Sequence, residues 1–221
     1  MSDPSLARRL ILILGGARSG KSRYAEELAP QLAGEGPVLY VATATPLDDE
    51  MRARIAQHQA ARPAHWLTLE APRDPAEAVR ASLATNSEAR VARVILLDCL
   101  TLLAANLLTD DGAQAGGDES SHTFDQFGMA ETAAAEARVM RALDDLLAVY
   151  REGAASLIVV SNEVGMGIVP AYPSGRAYRD ILGRANARLA AEADAALLMV
   201  AGLPIELKAL AEAWRGQVFG W

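Results

Sequence analysis

Gly15-Gly16-Ala17-Arg18-Ser19-Gly20-Lys21-Ser22 fits the spacing G-x-x-x-x-G-K-[ST], and the chemistry of that spacing is phosphate capture. The glycines let the chain bend tightly enough to turn successive backbone N–H groups inward on a polyphosphate. Lys21 would then reach the β- and γ-phosphates, and the Ser22 hydroxyl would ligate Mg²⁺. A second group able to hold Mg²⁺ is Asp98, at the end of a hydrophobic strand expected over Val91–Asp98, where a carboxylate reaches the ion directly or through water. A third constellation is Met51, Arg54, Ile55, His58 and Arg62, which share one face if residues 47–62 are helical. Two arginines and a histidine on one stripe suit a face that meets a phosphate-bearing ligand.

These groups need elements to position them. Leu10 to Leu14 reads as a buried strand and Ser22 to Ala29 as the helix after it, so the glycine-rich turn would lie at a helix N-terminus, where the dipole favours anions. Pro37 to Thr43 reads as a second buried strand, Leu67–Glu70 as a short one and Val91–Asp98 as another. Ala155–Ser161 and Ala195–Ala201 complete the strands, the last closing the sheet. Helices are expected over 47–62, 75–84, 101–108, 129–151 and 176–193, with Thr85-Asn86-Ser87 as a loop. Strands alternating with helices imply right-handed βαβ units and a parallel sheet whose ligands sit at the carboxyl ends. Thr43, Ala44, Asp98 and the loop Asn162–Pro170 would then emerge beside the glycine-rich turn. The tail to Trp221 is expected to pack on the body or on a neighbouring subunit.

Composition narrows the classes of function. The 221 residues are 51% hydrophobic, enough for one α/β domain spanning 1–221. A flexible acidic insertion is expected at 109–128, where Asp110, Asp111, Asp118 and Glu119 lie among Gly, Ser and Gln. The net charge of −7 and the absence of a Lys/Arg cluster argue against a nucleic-acid partner. No run is long enough for a membrane span, and the single cysteine, Cys99, fits a reducing compartment, so a cytoplasmic location is expected. Neither zinc-ligand spacing nor a Ser/His/Asp triad signature is present, and His65 and His122 read as structural and surface histidines.

Several segments together resemble one family. Gly15–Arg23, Tyr40–Thr43, Asp48-Asp49-Glu50-Met51, Arg62-Pro63-Ala64-His65-Trp66 and Asn162–Pro170 are similar, in order, to the bifunctional adenosylcobinamide kinase/adenosylcobinamide-phosphate guanylyltransferases of cobalamin biosynthesis. The resemblance runs from about residue 11 to about residue 200. It implies a P-loop, RecA-like α/β fold with a mostly parallel central sheet flanked by helices. It also implies two reactions, phosphorylation of adenosylcobinamide by a nucleoside triphosphate (ATP or GTP) and transfer of GMP from GTP to adenosylcobinamide phosphate through a guanylyl-histidine. The family's nucleophile falls on His58, with Lys21 and Mg²⁺ holding the leaving pyrophosphate. Its nucleotide-binding segments fall on Gly15 to Ser22, on Ala42, Thr43 and Ala44, on Gln59, Ala60, Ala61 and Arg62, and on Glu70 and Asp98. Metal would be held by Ser22 and Asp98, and the resemblance suggests a homotrimer. The 109–128 insertion is longer than the family pattern.

The residues agree with that chemistry. A neutral imidazole, with a reference pKa of about 6.5, can attack an α-phosphorus, and Arg54 and Arg62, a turn to either side, could stabilise the charge that gathers on its oxygens. One alternative is a simple P-loop small-molecule kinase in which His58 is only a contact. Another is a nucleotide-controlled switch protein, against which stands the lack of an Asn-Lys-x-Asp guanine-reading segment.

Overall fold

A computed structural model describes residues 8–45, 49, 52, 62–108 and 127–219. Among them lie β1 (Leu10–Gly15), α1 (Lys21–Ala33), β2 (Val38–Ala42), β3 (Leu67–Glu70), α2 (Pro75–Thr85), α3 (Ser87–Arg90), β4 (Val94–Asp98) and α4 (Leu100–Leu108). After them come α5 (Met129–Glu152), β5 (Ser156–Val160), α6 (Pro173–Glu192), β6 (Ala195–Val200), β7 (Leu203–Glu206) and α7 (Leu207–Phe219). The strands form one sheet in the order β3-β2-β4-β5-β1-β6-β7. Every pairing is parallel except β6 with β7.

The apolar runs are unbroken because both faces of the sheet are covered, as a parallel sheet with crossover helices requires. Period-two alternation then assigns each residue to a face. Leu10, Leu12, Leu14, Leu39, Val41, Ile95, Leu97, Leu157 and Val159 turn toward α2, α4, α5 and α6, where Leu143, Leu146 and Leu147 of α5 are fully buried. Ile11, Ile13, Val38, Tyr40, Val94, Leu96, Ile158 and Val160 turn toward α1 and its Ala25, Ala29 and Ala33. Each large aliphatic side chain so buried contributes about 1.5–3 kcal/mol relative to exposure. Small alanines on α1 let that helix lie close, which keeps its N-terminus near the carboxyl ends of the central strands.

The structure departs from the sequence reading in three places. Asn86 does not continue a loop: its side chain accepts from the N–H groups of Glu88 and Ala89 and caps the short helix α3. Val91–Arg93 is therefore the exit from that helix rather than strand, Val91 is exposed, and β4 begins at Val94. Nor does β6 close the sheet. Ala201 and Gly202, both at positive φ, turn the chain back so that β7 pairs antiparallel on β6 and α7 follows. The readings at 46–61, apart from 49 and 52, and at 109–126, which include the insertion and His122, lie outside the described residues.

Candidate active site at the carboxyl edge of the sheet

The glycine-rich turn leaves β1 and enters α1 as its spacing requires. Gly20, at φ 93°, is the residue before the helix, and the Tyr24 N–H closes the first turn on the Gly20 carbonyl at 2.9 Å. Gly15 has no room for a side chain, since a Cβ there would lie 2.6 Å from Ser19 Oγ and 2.7 Å from the Met199 carbonyl oxygen. Neighbouring strands anchor the turn. The Glu163 N–H, after β5, donates to the Gly15 carbonyl at 3.1 Å, and the Gly202 N–H, after β6, donates to the Ser19 carbonyl at 3.1 Å. Lys21 folds back and donates from Nζ to the Gly16 carbonyl at 2.6 Å. Burial pulls its pKa down, opposed by the nearby Cys99 and Asp98. Ser19 Oγ is buried without a hydrogen-bond partner, a state that costs on the order of 1–3 kcal/mol unless a ligand oxygen meets it.

Asp98 ends β4 opposite Ala42, and period two places it on the α1 face with Val94 and Leu96. Tyr40, two residues before Ala42 and 2% exposed, donates its hydroxyl to Asp98 Oδ2 at 2.8 Å. Burial foremost, and then the Asp98 charge, drive the Tyr40 pKa upward, so the phenol remains a donor. Its ring lies under the Arg62 guanidinium, 3.6 Å from centroid to carbon, and beside the Trp66 ring, with centroids 6.3 Å apart. Arg62 Nε and Nη1 are buried without hydrogen-bond partners. Arg62, Pro63, Ala64, Trp66, Thr68 and Glu70 line a cleft of about 450 Å³, the size of a small-molecule pocket.

Side-chain braces fix the loops between these parts. The Thr43 hydroxyl donates to the Cys99 carbonyl at 2.7 Å and accepts from its N–H at 2.8 Å, while Asn106 of α4 donates to the carbonyls of Thr43 and Pro72. These bonds join the ends of β2, β3 and β4. On the other flank, buried Asn186 accepts from Ser161 Oγ at 2.7 Å and donates to the Asn162 carbonyl at 3.0 Å, and Thr101 accepts from the Asn162 N–H. Cys99 sits half-buried beside Lys21, its thiol pKa pushed up to about 11 by burial and then by Asp98; it is a poor nucleophile at neutral pH.

The structure thus gathers Gly15 to Ser22, Ala42 to Ala44 and Asp98 at one edge, with Arg62 and Glu70 in the adjoining cleft. His58, Gln59, Ala60 and Ala61 lie outside the described residues. His65 is exposed in the turn before Trp66. The sequence reading did not single out Thr68, Asn106 or Asn186 as parts of the site, and Tyr40 and Trp66 entered it only within motifs. A tyrosine in a strand reads as core, and only the cross-strand register reveals that Tyr40 meets Asp98. Ser22, in the first turn of α1, and Asp98 supply oxygen donors of the kind Mg²⁺ takes. Among the described residues no three His, Cys, Asp or Glu side chains group as a metal cage, so such an ion would complete its shell from phosphate and water.

Comparison with known proteins agrees with the geometry. Residues 11–207 match the family described as cobinamide kinase / cobinamide phosphate guanyltransferase. The chain is 43% identical over 204 residues to the bifunctional adenosylcobalamin biosynthesis protein CobU of Salmonella typhimurium, covering 90% of this chain and 99% of that protein. It is 41% identical over 199 residues to CobU of Escherichia coli, covering 90% and 99%, and 41% identical over 198 residues to CobP of Pseudomonas aeruginosa, covering 89% and 96%. With a P-loop at the carboxyl edge of a mostly parallel sheet and a match over nearly its whole length, this chain belongs to the cobinamide kinase / cobinamide phosphate guanylyltransferase family.

Proposed function

We propose that this chain performs both reactions on one nucleotide site, phosphorylating adenosylcobinamide and then converting the phosphate to adenosylcobinamide-GDP. The observation that carries the reading is the pairing of a P-loop with an adjoining cleft that holds buried, unpartnered Arg62 nitrogens. One part suits a polyphosphate, and the other sets a cation with unmet donors in the lining of a cleft that has room for the rest of a nucleotide.

In the kinase step the hydroxyl oxygen of the substrate's aminopropanol arm bonds to the γ-phosphorus. The bond from that phosphorus to its bridging oxygen breaks, the nucleoside diphosphate leaves, and the hydroxyl proton passes to solvent or a nearby base. Lys21 and the P-loop amides hold the phosphates in line. In the second step a neutral His58 nitrogen bonds to the α-phosphorus of GTP and the α–β bridge breaks, releasing pyrophosphate onto Lys21 and the P-loop. An oxygen of adenosylcobinamide phosphate then attacks the same phosphorus, and the P–N bond breaks to regenerate the imidazole. Arg62, and Arg54 with it, offset the charge on the transferring group. Bound between Ser22, Asp98 and the phosphates, Mg²⁺ would supply charge neutralisation. Ala42 to Ala44, Gln59 to Arg62, Glu70 and Asp98 form the nucleotide's surroundings, and Thr43, its side chain committed to Cys99, acts by shaping that segment. The loop Asn162–Pro170, with Met166, Ile168 and Val169 exposed beside the P-loop, offers an apolar cover for the corrinoid. A cytoplasmic homotrimer belongs to the same reading; exposed Leu203 and Leu210 supply apolar surface for a subunit contact.

The test is incubation with Mg²⁺ and GTP labelled at the α-phosphate, followed by denaturation, with His58→Ala alongside. Acid-labile, alkali-stable label that the variant loses is expected. No label on protein that demonstrably binds GTP would refute the guanylyl-histidine and leave a simple kinase.

A further inference from the structure

Tyr40, in the middle of β2, is only 2% exposed, yet it does not behave as core filler. Its hydroxyl is spent on one oxygen of a carboxylate and its ring face on a guanidinium. A buried tyrosine hydroxyl needs a partner, and any carbonyl would serve; here the partner is Asp98 at the strand end. A structural arginine normally satisfies its N–H groups with protein acceptors. Arg62 instead rests flat on the Tyr40 ring with Nε and Nη1 buried and unpartnered, and because the residue lines the cleft, a guanidinium held by its face can turn these unmet in-plane donors to a ligand that enters there. Trp66, tilted 32° to the ring at 6.3 Å, limits the ring's movement from beside it.

We propose that Tyr40 is a positioning residue that serves both halves of the nucleotide site, its hydroxyl orienting the Asp98 carboxylate for the metal and its ring presenting the Arg62 guanidinium to the nucleotide. The carboxylate oxygen bonded by Tyr40 fixes the plane of the group and leaves the other oxygen for the ion or its water. Groups of this kind, one step removed from the metal, typically change metal affinity by about 10–100-fold when lost. The inference rests on the reading of Asp98 as a metal-holding residue.

The test is direct binding by the full chain, without turnover. Calorimetry with the α,β-methylene analogue of GTP, which cannot release pyrophosphate, gives the metal-free affinity, and a Mg²⁺ titration of that complex gives a midpoint. Tyr40→Phe keeps the ring, so its metal-free affinity should stay within about twofold while its Mg²⁺ midpoint rises about tenfold. Arg62→Met should do the reverse, weakening metal-free binding about five- to tenfold with the midpoint unmoved. Tyr40→Leu, checked for folding by thermal melting, should show both losses; if it does not fold, the first two variants still decide. A Tyr40→Phe midpoint equal to wild type while Asp98→Asn loses the Mg²⁺ response overturns the role of Tyr40 and leaves the metal reading standing. An unchanged Asp98→Asn midpoint overturns the metal reading, and this inference with it.

Discussion

Replacing Gly15 or Gly16 with alanine separates the two things a phosphate loop must do, which are to fold and to leave space. At Gly15 the added Cβ would sit 2.6 Å from Ser19 Oγ and 2.7 Å from the Met199 carbonyl oxygen. The serine can rotate away. Met199 cannot, because it is paired with Gly15 in the β1–β6 ladder. The contact is roughly 0.7 Å short of ordinary van der Waals separation, so the backbone must move, and overpacking of this kind costs about 1–3 kcal/mol. Gly15 also has φ 154°, a conformation that adds on the order of 1 kcal/mol or more for alanine. Together these predict a loss of about 2–5 kcal/mol, which in a chain of this size is a fall in Tm of roughly 5–15 °C. At Gly16 a Cβ would meet nothing within 4 Å, so Gly16→Ala should melt with wild type, within about 0.5 kcal/mol. That open space is where a phosphate must approach the backbone, so Gly16→Ala should weaken binding of the methylene GTP analogue by about tenfold or more. Thermal melting of the ligand-free variants and calorimetry of the same samples give both quantities. Equal melting losses in the two variants, or undiminished nucleotide binding by Gly16→Ala, would refute the reasoning.

Two further outcomes follow from buried groups. With its thiol pKa raised from 9.0 to about 11, native Cys99 should react with iodoacetamide at pH 8 roughly a hundredfold more slowly than an unfolded-chain cysteine. The unfolded thiol ionises first, so this residue's contribution to stability is intact below about pH 9 and is lost as pH rises through about 11; rapid alkylation of the folded protein at pH 8 would contradict the placement of Cys99. Asn186→Ala removes two hydrogen bonds and strands the hydroxyl of Ser161, which is 0% exposed. Urea unfolding should show a loss of about 2–4 kcal/mol with little change in slope, and a loss below about 1 kcal/mol would mean that Asn186 does not brace the loop beside Gly15.

The legible parts of this chain were those in which local pattern and tertiary role coincide. Leu10–Gly15 is apolar at every position before the glycine because both faces of a central parallel strand are covered, and Lys21-Ser22 follows at a spacing that phosphate geometry dictates. Leu67–Glu70 was read at its observed bounds. At Val91 the pattern misled, since a β-branched residue next to a strand lies in a helix exit whose cap, Asn86, is five residues upstream. The β7–α7 tail escapes the sequence because Pro204 lies inside Leu203–Glu206, which argues against a strand, and the segment pairs only through the turn at Ala201-Gly202. The contacts of Tyr40 were illegible for a different reason. Asp98 is 58 positions away, and only strand order and register bring the two together.

Lys21 is already occupied before any ligand arrives, its ammonium bonded to the Gly16 carbonyl within its own loop. Capture of a nucleotide at this point is an exchange, in which the newcomer must outcompete a neutral oxygen that costs nothing to assemble. A nucleoside or another uncharged molecule offers at best an equivalent acceptor and gains nothing by displacing it. A polyphosphate offers charged oxygens, whose hydrogen bonds are roughly twice as strong as neutral ones. The loop is therefore a threshold for charge, screening its visitors for phosphate before the cleft at Arg62 reads anything else about them.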